Sequence, residues 1–230
     1  MNPIRVLVPL MVIVIAASGC GIIYPTGRTD PIHDAVWRGN LPAVESLLDR
    51  GTNINATDGC GRTPLYWAAM IDRPEIASVL IKRGANVNKG ASWKGHDTPL
   101  HVAANKGNEA IISILLDGGA NVNVRSMSEQ TPLHYAAWLM HPGAVSLLIA
   151  RGADVNARDY QESTPLHVEY PYPIPKDWPA ADYAKVVKIL IAHGADVNAR
   201  NKRGNTPLKI AKQIGNEAAV NELLAAGAKE

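Results

Sequence analysis

Thr131-Pro132-Leu133-His134-Tyr135-Ala136-Ala137 and Gly152-Ala153-Asp154-Val155-Asn156-Ala157-Arg158 are two phrases of one unit, and both recur in register along the chain. The first is marked by Asp30-Pro31, Thr63-Pro64, Thr98-Pro99, Thr131-Pro132, Thr164-Pro165 and Thr206-Pro207, with prolines 33, 35, 33, 33 and 42 residues apart. The second is marked by Gly51-Thr52, Gly84-Ala85, Gly119-Ala120, Gly152-Ala153, Gly194-Ala195 and Gly227-Ala228, spaced by 33, 35, 33, 42 and 33. Two ladders with a common period of 33 point to stacked repeats, each touching the next, rather than one irregular core. The departures place two insertions, one of two residues between Gly84 and Pro99 and one of nine between Pro165 and Gly194.

Each part of the unit has a mechanical reason. A threonine such as Thr63 or Thr98 caps a helix through its hydroxyl, and the proline after it sits in the first turn, where a missing N–H costs nothing. In Leu100-His101-Val102-Ala103-Ala104 the small alanines allow a second helix to lie close. That second helix carries paired apolar positions, as in Ile111-Ile112, Ile114 and Leu115-Leu116. Leu115 and Leu224 read as matching core positions of a middle and the last unit. Gly119 supplies the left-handed residue that ends the helix, and Asn121-Val122-Asn123 leads into an extended hairpin with asparagines bonding local backbone.

These phrases resemble the ankyrin repeat closely, over about residues 27–230. The resemblance implies an all-α repeat solenoid of about six units (27–58, 59–93, 94–126, 127–159, 160–201 and 202–230), each a helix–turn–helix followed by a β-hairpin finger. It also implies binding of a protein partner by fingers and first helices, with no cofactor. The end units look like caps: Asp34 replaces an apolar residue in the first, and Lys209 and Lys212 add charge to the last.

Residues 1–19 read as a targeting segment: Arg5 precedes an apolar run from Val6 to Ala17. Ala17-Ser18-Gly19-Cys20 resembles the lipobox of bacterial lipoproteins, which implies lipidation of Cys20 and a short tether over 20–26. The other reading is an uncleaved signal anchor, since apolar residues continue through Ile22-Ile23. Both place the repeats outside the cytoplasm, on the cell membrane or an outer membrane. The second cysteine, Cys60, reads as an exposed unpaired thiol or as the site of an intermolecular disulfide.

Signal, tether and repeats leave no room for a catalytic domain, so the chain reads as a non-enzyme. His33, His101, His134 and His167 share one repeat position, and helices roughly 8–10 Å apart cannot bring them onto one zinc ion with bonds of about 2 Å. They read as structural, bonding the neighbouring turn. The net charge of +2 in 230 residues argues against nucleic acid. Five positive charges between Arg200 and Lys212, without an acid among them, read as a solvated face or a seat for an acidic partner.

In ankyrin proteins recognition lies in variable positions, at the finger tips and after Ala-Ala in the first helix. Register carries that rule onto Trp37, Arg38, Met70, Ile71, Asn105, Lys106, Trp138 and Leu139 in the helices. In the fingers it selects Arg62, Trp93, Lys94, Met127, Tyr160, Lys202 and Arg203. The apolar members, Trp138 above all, read as an exposed cluster that a partner covers, or as filling beneath the fingers. The insertion, Pro171 to Pro179, is a stiff loop that either folds back or meets a partner. The expected molecule is monomeric and tethered through lipid on Cys20. It either binds, inhibits or protects one protein client, as an immunity protein does, or serves as a structural envelope component without a tight client.

Overall fold

The computed structural model describes residues 30–92, 96–168 and 180–229. Within them eleven helices follow one another: α1 (Pro31–Trp37), α2 (Leu41–Asp49), α3 (Pro64–Met70), α4 (Pro74–Lys82), α5 (Pro99–Lys106), α6 (Glu109–Asp117), α7 (Pro132–Trp138), α8 (Pro142–Ala150), α9 (Ala180–Ala192), α10 (Pro207–Ile214) and α11 (Glu217–Ala225). First helices α1, α3, α5 and α7 pack in one row, and α2, α4, α6, α8, α9 and α11 pack in a second. The anticipated all-α solenoid is what forms.

The caps work as the threonine–proline pairs suggest. Thr63 Oγ1 accepts from Tyr66 N at 3.1 Å, and Thr206 Oγ1 from Lys209 N at 3.2 Å. In α5 and α7 the histidine joins the cap: Thr98 N–H donates to His101 Nδ1 (3.2 Å) and Thr131 N–H to His134 Nδ1 (3.1 Å). The residue after each capping proline is fully buried in every unit, from Ile32 through Leu65, Leu100, Leu133 and Leu166 to Leu208. Leu80, Leu115, Leu148, Leu190 and Leu223 do the same for the second row, four residues before each left-handed glycine. Leu223, not Leu224, is therefore the mate of Leu115; Leu224 is 48 % exposed.

Two features differ from the sequence reading. The fingers contain no β-ladder among the described residues; each is a pair of turns, closed in the first by Asp58 N→Arg62 O at 3.0 Å and Gly61 N→Asp58 O at 2.9 Å. Side chains, together with backbone bonds such as Tyr160 N→Ser128 O at 3.0 Å, supply the links between neighbours. Gly61, at φ 75°, lets fingers meet: a Cβ there would lie 2.5 Å from Ser92 N. The second difference is in the fifth unit, where Thr164–Val168 makes a turn instead of a first helix. Glu169-Tyr170-Pro171 stands where a middle repeat has Ala-Ala, and proline biases the residue before it away from helix.

Two ladders of links between units are side chain to backbone. His33, His101 and His134 put Nε2 3.0, 3.0 and 3.1 Å from the carbonyls of Arg62, Gln130 and Ser163, each in the next unit. His167 keeps this tie to Ala199 O (3.1 Å) although residues 164–168 form a turn. A second ladder runs along the asparagines. Asn55 Oδ1 accepts from Asn86 N, Asn88 from Asn121 N, Asn123 from Asp154 N and Asn156 from Asp196 N, at 2.8 to 3.0 Å. These asparagines serve the next repeat as well as their own turn.

Candidate functional site

The candidate surface is the groove between the fingers and the row of first helices. At its first end, register places Trp37, Arg38 and Arg62. Trp37 meets Trp67 edge to face at 5.4 Å, and the Arg62 guanidinium lies 4.4 Å over the Trp67 ring. Asp58 accepts from Arg62 Nε at 2.7 Å and Trp67 Nε1 at 2.9 Å, and also from the amides of Cys60 and Arg62. Burial alone would raise the Asp58 carboxyl. Hydrogen bonds from the Arg62 backbone, the Trp67 indole and the Arg62 guanidinium outweigh it and hold the group below its ordinary value. Arg62 and Trp37 are thus engaged within the chain, while Arg38 is exposed and paired to Asp34 at 2.8 Å. Cys60 sits in the same finger. It is buried, which replaces the expectation of an exposed thiol.

In the middle units Asn105 is half-buried, with its carbonyl 2.9 Å from His141 Nε2, and Lys106 is exposed. Sequence reasoning missed the polar link beside them: Tyr135 donates its hydroxyl proton to Asp97 Oδ1 at 2.8 Å. Burial, reinforced by Asp97, pushes the Tyr66 phenol up to about 12. An acid placed directly before a Thr-Pro cap, as in Asp97-Thr98-Pro99, was the available signal.

Met70, Ile71, Trp138 and Leu139 are half-buried rather than exposed, and the first three pack against the core. The short first helices end close to their partner helices, so their last residues lean inward. Of the described candidate residues, the exposed apolar ones lie instead at the finger tips, Met127 at 67 % and Tyr160 at 63 %. These tips are joined: Tyr160 N donates to Ser128 O at 3.0 Å and Lys202 N to Gln161 O at 2.9 Å. Lys202 Nζ lies 4.4 Å over the Tyr160 ring and donates to Tyr160 O, so Met127, Tyr160, exposed Lys202 and exposed Arg203 share one linked row. Trp93 and Lys94, Cys20 and the insertion at 171–179 lie outside the described residues.

Beside α7 and the Thr164–Val168 turn is a cavity of about 210 Å³. Trp138, Pro165 and Val168 give it apolar walls, and Gln130, Asp159 and Gln161 give it polar ones.

The histidine ladder sets a pH dependence. With Nδ1 accepting from a backbone N–H, Nε2 carries the proton and the ring is neutral. Burial pushes His134 down from 6.5 to about 4, partly opposed by the Ser163 carbonyl and Asp159. Above 6.5 neither folded nor unfolded chain is protonated there, so the stability is complete. Between 6.5 and 4 only the unfolded chain takes the proton, and stability is lost as pH falls. His134 alone should cost about 2 kcal/mol between pH 7 and pH 5. Denaturant titration at the two pH values checks this, with His134→Gln expected to show the smaller loss.

Comparison with known proteins places this geometry. Family models described as "Ankyrin repeats (3 copies)" match residues 32–126 and 90–159, and one described as "Ankyrin repeats (many copies)" matches 181–224. Among curated relatives, a "Putative ankyrin repeat protein" of Rickettsia felis is 35 % identical over 63 residues, 27 % of this chain and 16 % of that protein. Protein phosphatase 1 regulatory subunit 27 of Homo sapiens is 41 % identical over 64 residues, 28 % of this chain and 41 % of that one. The chain therefore spans less than half the length of these relatives. Among solved structures, an ankyrin repeat domain from Acinetobacter baumannii AYE superposes with a TM-score of 0.74 at 30 % identity, covering 86 % of this chain and 98 % of that one. The ankyrin repeat domain of Bcl-3, described as a member of the IkappaB protein family, gives 0.73 at 27 % identity, covering 87 % of each chain.

Proposed function

Since the chain belongs to the ankyrin repeat family, whose repeats are protein-interaction modules, we propose that it is a lipid-tethered binding module of the bacterial envelope that catalyses no reaction itself. The observation that carries the tether is Ala17-Ser18-Gly19-Cys20, three small residues before a cysteine at the end of an apolar run. Two acyl chains on Cys20 give stable anchoring where one is marginal. A linker from Gly21 to Thr26 spans at most about 3.5 Å per residue, which keeps the first unit beside the bilayer. The client is a protein at that membrane, bound or restrained as an immunity protein restrains its target. The linked, exposed tips Met127 and Tyr160 support a protein-binding role, because large exposed apolar side chains in one row are an interface composition.

Lipid labelling tests the tether. The wild-type chain should incorporate labelled fatty acid, and Cys20→Ser should not. Label retained by the variant would refute the lipobox. So would wild-type chain recovered unlabelled with Cys20 disulfide-bonded to Cys60, because a thioether sulfur has no thiol to give. Capture from solubilised envelope tests the client: one stoichiometric protein supports the module, and none favours a structural envelope component.

A further inference from the structure

Resting on the reading as a protein-interaction module, we propose that the cavity between α10 and the finger at 200–205 seats an acidic, extended protein segment, one carboxylate of which fills the place that Gly204 leaves empty.

Three successive fingers carry an arginine at one register position, Arg125, Arg158 and Arg200. Each donates from Nη1 to the carbonyl four residues on, of Glu129 (3.1 Å), Glu162 (3.3 Å) and Gly204 (3.2 Å). The first two also have a carboxylate at that fourth residue, 3.4 Å away in Glu129 and 3.9 Å in Glu162. They reach the next finger as well, Arg125 to Arg158 O at 2.7 Å and Arg158 to Arg200 O at 3.2 Å. Arg200 has neither among the described residues, and Gly204 brings no carboxylate. Gly204 keeps the backbone of its counterparts, at φ 68° against 59° in Glu129 and Glu162, and a Cβ there would meet nothing within 4 Å. The space into which a glutamate would extend is open.

Gly204 lines a cavity of about 230 Å³, with Arg200, Lys209 and Lys212 in its wall and no acid. From Arg200 to Asn216 the chain carries no acidic residue at all. Arg200 and Lys209 are exposed and belong to no ion pair among the described residues. Lys209 also stands where the ladder histidines do, directly after Thr-Pro-Leu. There His101, His134 and His167 each bond a carbonyl of the next unit. Arg200 and Lys209 therefore occupy positions that elsewhere hold the backbone of a neighbouring finger, and an extended segment offers them the same carbonyls. Helical carbonyls are committed to their own helix. Cations rather than imidazoles in the wall select carboxylates, because charge-assisted bonds are stronger than neutral ones. A side-chain carboxylate enters such a cavity, whereas the phosphates of a bilayer lie in a plane across its mouth. The chemistry fits a protein segment better than a lipid surface.

The test titrates the full chain calorimetrically at pH 7 with N-acetyl tetraglutamate amide, and with the tetraglutamine analogue as comparison. The glutamate peptide should bind saturably, and the glutamine peptide at least about tenfold more weakly, the weight of one charge-assisted hydrogen bond. Gly204→Glu gives Arg200 a carboxylate of its own, as Glu129 and Glu162 give their arginines. It should weaken binding of the glutamate peptide about tenfold while the melting curve shows a folded chain. Gly204→Gln adds the same bulk without the charge and should weaken binding less. Lys209→Gln should weaken it as Gly204→Glu does. No saturable binding, or equal binding of the two peptides, would overturn the seat. Equal loss in Gly204→Glu and Gly204→Gln would overturn the place given to the carboxylate. Displacement of the peptide by phosphatidylglycerol vesicles, but not by phosphatidylcholine vesicles, would overturn the protein segment in favour of a lipid surface. A chain that captures an envelope client but ignores the peptide would refute the acidic seat alone. A chain that binds the peptide but captures no client would refute the module alone.

Discussion

Leu115→Ala should lower the unfolding free energy by about 2–5 kcal/mol, the range for emptying a fully buried leucine site. Leu115 lies in α6, between α4 and α8, and no backbone on either side can collapse without moving a second unit. Leu223→Ala, at the matching position of α11, should cost less. That helix has α9 on one side and ends the described stack on the other, so its surroundings relax more freely. Leu224→Ala should stay within about 1 kcal/mol, as a half-exposed side chain already forgoes much of the burial. Denaturant titration of the three variants orders them. A costlier Leu223→Ala than Leu115→Ala would contradict stability built from neighbouring interfaces.

The Leu224 to Leu223 correction shows where the sequence was legible and where it was not. Register over 33 residues is unmistakable when Thr-Pro and Gly-Ala recur, because caps and left-handed glycines are local chemistry. The choice between two adjacent leucines, Leu223 and Leu224, depends on which side of α11 faces α9, and only the packed stack fixes that. The fifth unit fails for a related reason. Thr164-Pro165-Leu166-His167 carries every local signal of a helix start, and its cap and histidine tie do form. No helix forms over the described residues 164–168, and Glu169-Tyr170-Pro171 stands where a middle repeat has Ala-Ala, so starting signals were read without their continuation. The histidines were legible as structural, whereas the asparagine ladder was read only within its own turn. The bond from Asn88 to Asn121 spans two repeats, and no single unit displays it.

The candidate site was legible by register only in part. Variable positions share a location, and what each side chain does there depends on neighbours drawn from other units. Met127 and Tyr160 project from tips into solvent as a binding surface requires. Trp37 and Arg62 occupy equivalent kinds of position but have Trp67 and Asp58 beside them. An aromatic face and a half-buried carboxylate hold a guanidinium inside the chain that would otherwise reach for a partner.

That arrangement leads to the second large effect. Trp67→Ala should destabilise the protein by about 3–5 kcal/mol, the usual cost of deleting a buried aromatic side chain. Three losses coincide: the edge-to-face contact with Trp37, the ring beneath Arg62, and one of the donors that Asp58 accepts. Trp67→Phe separates them, since a ring remains for Trp37 and Arg62 while the indole N–H is removed. It should cost about 1–3 kcal/mol, the weight of one hydrogen bond to a charged acceptor. The Asp58 carboxyl should then titrate higher, because one of the bonds that hold it down is gone. A carboxyl held below its ordinary value stabilises the fold above that value and loses its contribution as pH falls. Trp67→Phe should therefore flatten the acid limb of the stability curve as well as lower its plateau. If Trp37 and Arg62 are framework, client capture by folded Trp67→Phe should match wild type. A loss of capture without a loss of stability would move both residues back onto the binding surface.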